Sequence, residues 1–150
     1  MKILITGGTG FIGKELIKRL KDKSLVILSR EKINDKRYVL ADLMDYRQIE
    51  KSFEKIDVVI HLAFSKDYPE NKIIFENIIK ACKKNKVKRI IFVSSMAAKR
   101  KNPDKYGKIK KEIEEKIKNS GITYTILRPS IIYGPKSTSF NFIIKKINSV

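Results

Sequence analysis

Runs rich in isoleucine and valine punctuate the chain at Ile3 to Ile5, Leu25 to Leu28, Val58 to Ile60, Ile90 to Val93 and Thr123 to Leu127, with a shorter one at Arg37 to Leu40. Each is continuous rather than alternating, the pattern of strands buried on both faces, as in a parallel sheet. Between them, apolar positions recur at helical spacing over Phe11 to Lys21, Tyr46 to Glu54, Asn71 to Lys84 and Asp104 to Lys118. In the last of these Ile109, Ile113 and Ile117 mark one buried face among lysines and glutamates. Strand and helix alternate throughout, so neighbouring parallel strands need right-handed crossovers. The expectation is an α/β fold: a doubly wound parallel sheet of the Rossmann type, in three α/β/α layers. A final helix-like stretch from Phe140 to Ile147 carries an apolar face that the three residues after it cannot cover. A second copy or a partner chain is expected over 140–147.

Length and charge refine this picture. A chain of 150 residues suits one domain, 1–150, with a sizeable core. The balance of 34 basic to 16 acidic residues, net +18, favours anionic partners. Lysine supplies most of the basic residues and isoleucine leads the apolar ones, which is also the bias of hyperthermophile or AT-rich proteomes. Nucleic acid ranks last among the partners: the basic stretch from Lys80 to Lys118 shows no recognition motif and no interleaved aromatics. The single cysteine, Cys82, can form no intramolecular disulfide and fits a reducing, cytoplasmic setting. No run of eighteen apolar residues is present, so no membrane partner is expected.

Candidate chemistry begins at "ITGGTGFIG", where Gly7, Gly10 and Gly13 fall between the first strand and the first helix. At such a junction the first glycine permits a tight turn, the second lets backbone approach a diphosphate, and the third lets helix pack on strand. Thr9, Phe11 and Ile12 complete the turn and open the helix, whose free N–H groups and dipole favour phosphate. The partner this implies is a dinucleotide. At the end of the second strand stand Ser29 and Arg30, suited to a ribose 2′-phosphate. NADP is therefore favoured, with NAD as the alternative because Glu31 follows at once. Asp42 in "ADLMD" has two open readings: acceptor for an adenine amino group, or N-cap of the next helix. His61, the only histidine, is read as a packing residue at a strand end.

Tyr106 and Lys110 lie one helical turn apart on one face. A free tyrosine, with a pKa of about 10, is a poor base, and a neighbouring ammonium favours its phenolate. In a second Tyr-x-x-x-Lys pair, Tyr68 and Lys72, the tyrosine precedes Pro69 in a loop context.

With "ITGGTGFIG", "ADL", "VVIHLAF", "VKRIIFVSS", "YGKIKKEIEE" and "YTILRPSIIYGP" in this order, the chain resembles the short-chain dehydrogenase/reductase superfamily. Within it, the chain is most similar to the extended and atypical branches, the NAD-dependent epimerase/dehydratase family. The resemblance implies that Leu43 follows the adenine-side aspartate and that Leu62 and Ala63 pass beside the diphosphate and ribose. It implies that Pro129 and Ile132 flank the nicotinamide. It further implies that Ser95 hydrogen-bonds the reacting oxygen and Tyr106 exchanges a proton with it. Lys110 would hold the ribose and keep the tyrosine's pKa down. The small-molecule substrate implied is a nucleotide-sugar or related metabolite, oxidised or reduced at a hydroxyl or keto carbon. The short basic segment "MAAKRKNPDK" and Ile73, where many active members carry asparagine, depart from the pattern, and the family's C-terminal substrate lobe is not seen in these 150 residues. The alternative is therefore a non-catalytic NADP(H)-binding sensor or scaffold module.

Overall fold

The computed structural model describes residues 1–20, 23–134 and 137. Six strands, β1 (Lys2–Thr6), β2 (Ser24–Ser29), β3 (Tyr38–Leu40), β4 (Val58–His61), β5 (Arg89–Val93) and β6 (Thr123–Leu127), form one sheet in the order β3-β2-β1-β4-β5-β6. Every pairing is parallel. Four helices connect them: α1 (Phe11–Arg19), α2 (Tyr46–Ile49), α3 (Glu70–Lys84) and α4 (Lys105–Lys118). The doubly wound reading holds, and strand order reverses between β1 and β4, the place where such sheets open a crevice at their C-terminal ends.

Alternate residues of β1 feed opposite layers. Ile3 and Ile5 pack with Ile17 of α1, whereas Leu4 joins Ile74, Ile78, Ala81 and Cys82 of α3 in the larger cluster. Ile109, Ile113 and Ile117 of α4 meet Phe75 and Phe92 on that second side. Cys82 is fully buried, and burial pushes its thiol up to about 12.

Two expectations need correction. The helix expected over Tyr46 to Glu54 is a single α-turn, Tyr46–Ile49, followed by a 3-10 turn, Glu50–Phe53. Its N-cap is Asp45, which accepts the N–H of Arg47 at 2.8 Å. Asp42 is therefore not the cap; its Oδ1 accepts the N–H of Met44 at 2.9 Å. The basic segment after Ser95 begins with a 3-10 turn at Met96–Lys99, capped by the Ser95 hydroxyl. The apolar face expected over Phe140 to Ile147 lies outside the described residues.

Candidate functional site

The glycine turn is shaped by what its backbone must approach. Gly7 has φ +74°, and a Cβ there would lie 2.6 Å from the N of Ala63. At Gly13 a Cβ would fall 2.3 Å from the carbonyl oxygen of Gly7. These contacts bring the turn against the end of β4 and draw α1 down onto it. Gly10 is the N-cap of α1 and contributes no side-chain cap, so the first N–H groups of the helix face the crevice.

Two cavities open from this turn and share Gly7, Gly10, Leu62 and Phe64. One, of about 340 Å³, is lined by Thr9, Ser29, Arg30, Asp42, Leu43 and Ala63. The other, of about 300 Å³, is lined by Phe11, Ile12, Gly13, Ser95, Tyr106, Lys110, Pro129 and Ile132. Every residue singled out as a site candidate in the sequence borders one cavity or the other. A long ligand with a diphosphate at its waist fits the shape: side-chain-free backbone at the middle, a mixed polar chamber on either side.

In the first chamber Arg30 is exposed and makes no hydrogen bond or ion pair among the described residues. Ser29 is buried and its hydroxyl accepts the N–H of Glu31 at 3.0 Å, so the turn that presents Arg30 is itself braced. Asn77 of α3 donates to the carbonyls of Leu43 and Met44, both at 2.9 Å, which fixes the wall carrying Asp42. His61 is buried, with Nδ1 2.7 Å from the Thr6 hydroxyl and its ring stacked on Phe92. Burial, with the nearby Lys110 charge, pushes its pKa down to about 3. A histidine held neutral at every working pH and packed between rings is a core residue.

The second chamber holds the candidate reactive groups. Ser95 and Tyr106 line the same chamber, and the Tyr106 ring meets Phe64 edge-on with centroids 5.0 Å apart. Gly107 makes this possible, since a Cβ there would stand 2.5 Å from the carbonyl oxygen of Ala97; its absence lets α4 settle on the turn that begins at Ser95. Lys110 is 3% exposed. Its ammonium donates to the carbonyl of Val93 at 2.9 Å and lies 4.3 Å from the centre of the Phe64 ring. Burial pulls its pKa down to about 8, with Glu114 opposing the shift. The expectation that Lys110 would lower the Tyr106 pKa is not met in this arrangement: burial raises it, and Ser95 only partly opposes this. The lysine donates to the Val93 carbonyl and not to the phenol, with its ammonium 5.7 Å from the centre of the Tyr106 ring.

Three features escaped the sequence. Ile73 is exposed on α3, but Asn71 two residues earlier is buried and clasps the loop after β4. It accepts from Ser65 N at 2.8 Å and donates to the carbonyls of Ser65, Asp67 and Tyr68. Phe64, on that loop, roofs Lys110 and borders both chambers. Buried Glu114 pairs with half-buried Arg128 one helical turn beyond the lysine. The i, i+4 spacing from Lys110 to Glu114 was a usable signal for the last; nothing local marks the other two.

A family model described as NAD(P)H-binding matches residues 7–148. Prestalk A differentiation protein A of Dictyostelium discoideum is 32% identical over 141 residues, covering 86% of this chain and 44% of that protein. An inverting UDP-N-acetylglucosamine 4,6-dehydratase of Campylobacter jejuni is 32% identical over 119 residues, covering 62% of this chain and 36% of the enzyme. Among solved structures, UDP-N-acetylglucosamine 4-epimerase from Bacillus cereus superposes with a TM-score of 0.80 at 26% identity, covering 91% of this chain and 56% of that one. The chain thus spans about half, or less, of the length of these relatives. Six parallel strands, a glycine turn at the switch point and the family match agree: the chain belongs to the NAD(P)H-binding family, in the NAD-dependent epimerase/dehydratase branch of the short-chain dehydrogenase/reductase superfamily.

Proposed function

We propose that this chain is the dinucleotide-binding part of an NADP-preferring oxidoreductase or epimerase acting at a hydroxyl or keto carbon of a nucleotide-sugar. The observation that carries this reading is the meeting of Ser95, Tyr106 and Lys110 in a chamber that opens onto the glycine turn. Gly7, Gly10 and Gly13 with the start of α1 would hold the diphosphate, Arg30 a 2′-phosphate, and Asp42 the adenine amino group. Lys110 would hold the ribose hydroxyls near Pro129 and Ile132. The bound nicotinamide would supply hydride acceptance and donation. Tyr106, protonated in this arrangement, is set up to donate to a carbonyl oxygen, and Ser95 to steady that same oxygen. The relatives named above, a UDP-sugar dehydratase and a UDP-sugar epimerase, support the substrate class.

The test is a calorimetric titration of the chain with NADP+ and NAD+ side by side, before and after Arg30→Ala. NADP+ is expected to bind more tightly, and the variant to lose about tenfold in NADP+ affinity with NAD+ unchanged. Equal affinities in both proteins would refute the NADP preference. Where turnover of a UDP-hexose is measured, Tyr106→Phe should lower it about 100-fold. A non-catalytic NADP(H)-binding module is the second reading, favoured by one observation: the Lys110 ammonium is engaged with Val93 and roofed by Phe64. Cofactor binding with no turnover that depends on Tyr106 would select it.

A further inference from the structure

Lys110 is not the only charge that α4 carries inward. One turn further along, Glu114 is 3% exposed, the one buried carboxylate among the described residues. Its Oε1 accepts from the Ser94 hydroxyl at 2.5 Å and from Arg128 Nε at 2.8 Å, and its Oε2 accepts from an Arg128 terminal nitrogen at 2.7 Å. Both donors stand directly after strands, Ser94 after β5 and Arg128 after β6. Their chain neighbours are the groups that matter in the chamber. Val93 accepts the Lys110 ammonium, Ser95 lines the chamber with Tyr106, and Pro129 accepts the N–H of Met96 at 3.0 Å. Ser94 N–H donates to the Leu127 carbonyl at 2.7 Å, so the ends of β5 and β6 are also tied to each other. One carboxylate therefore joins three of the segments around the second chamber, α4 and the chain just after β5 and β6.

A pair with its carboxylate buried and its guanidinium half-buried is a poor device for stability alone, because desolvation of the carboxylate offsets much of the attraction. Here the pair has a fixed geometry, a fork of two parallel bonds, behind Ser94, which lines the second chamber. We propose that Glu114, clamped by Arg128 and Ser94, is a positioning residue that fixes the ends of β5 and β6 around Lys110 and sets a carboxylate one helical turn from it. The functional consequence rests on the reading of Lys110 as the cation that meets the cofactor.

The charged and titratable groups facing Lys110 are Tyr106 and Glu114 on its own helix, His61 on β4, and Arg128 beyond Glu114. His61 is held neutral by burial, and burial raises Tyr106. For Glu114 burial works upward, but the hydrogen bonds from Arg128 and Ser94 outweigh it and the carboxyl ends below its ordinary value. Arg128 is raised by the hydrogen bond to Glu114. Between mildly acidic and mildly basic pH, Lys110 is thus the member of the cluster that changes charge.

The experiment follows Lys110 directly, by NMR titration of the 13C-labelled lysine side chains in the full chain, with Lys110→Met for assignment. It compares the wild type with Glu114→Gln, which keeps shape but loses charge, and Glu114→Asp, which keeps charge. Glu114→Gln is expected to lower the Lys110 midpoint by about one pH unit, with Glu114→Asp restoring part of it. NADP+ affinity of Glu114→Gln should be near the wild-type value at mildly acidic pH and about tenfold weaker at mildly basic pH, where the variant's lysine is neutral. An unmoved midpoint in a folded variant would overturn the proposal, as would an affinity loss equal at both pH values. Should Glu114→Gln fail to fold, the double variant Glu114→Gln/Arg128→Met removes the stranded charge. If that folds, its midpoint decides; if it also fails, the cluster is structural and the proposal is overturned. Absence of NADP+ binding by the wild type would refute the proposed function, while the NMR titration would still decide the role of Glu114.

Discussion

The two chambers of the cleft are built in opposite ways. Around the glycine turn the site is made by leaving side chains out: Gly7 and Gly13 admit backbone where a Cβ would collide, and no group there is strongly charged and buried. Around α4 the site is made by putting charge in: Lys110 and Glu114 are each 3% exposed, and each is held by partners on another strand end. The first construction is a matter of space and should be indifferent to pH. The second is a matter of solvation and should not be.

The largest effect is expected from breaking the first chamber. Gly13→Val would drive a branched side chain into the Gly7 carbonyl and the Gly8 backbone, costing about 3 kcal/mol by overpacking. Urea denaturation should show this loss at every pH, and dinucleotide binding should vanish with it. A loss that varied with pH would remove the contrast between the chambers.

Next in size is Lys110→Met, which keeps the side chain's length and removes its charge. Dinucleotide affinity is expected to fall about tenfold, while stability at neutral pH rises. The folded pKa of about 8 lies below the ordinary 10.5, so between those values the unfolded chain holds more protons and wild-type stability climbs with pH. The variant lacks that climb. Its advantage should be greatest at neutral pH, on the order of 3 kcal/mol, and should disappear as pH rises towards 10.5. Denaturation curves at neutral and alkaline pH would check the sign.

The smallest effect sharpens the comparison rather than breaking it. Asp45→Ala removes the cap of α2 beside the wall that carries Asp42, at a small cost in stability. Asn77 holds that wall independently, so calorimetric NADP+ affinity should stay unchanged while the thermal midpoint falls.

The same contrast explains what could be read from the sequence. The glycine turn is local: three glycines between an apolar strand and an amphipathic helix specify it, and the structure closes it as the spacing requires. The strands β1, β2, β4 and β5 were legible because burial on both faces leaves a continuous apolar run. The α2 region was misread because an apolar period fits an α-turn followed by a 3-10 turn as well as one longer helix, and two aspartates three positions apart competed for the cap. In the α4 chamber, Tyr106 and Lys110 could be singled out by their spacing together with their place on an amphipathic helix after the serine-bearing strand. The Ser94, Glu114 and Arg128 cluster draws on three segments, and only folding brings them together. Asn71 likewise acts on a loop whose carbonyls carry no sequence mark.

Cys82 gives the larger core cluster a built-in clock. It is the sole cysteine in the chain, it lies fully buried against the sheet near the end of α3, and its thiol stays protonated far above neutrality. A thiol reagent can therefore react only when α3 lifts away from the sheet. The rate of a single alkylation, followed by intact mass, times that opening without a label or an engineered probe. Repeated with a dinucleotide present, it reports whether filling a cleft at one end of the sheet slows the breathing of a helix that walls it.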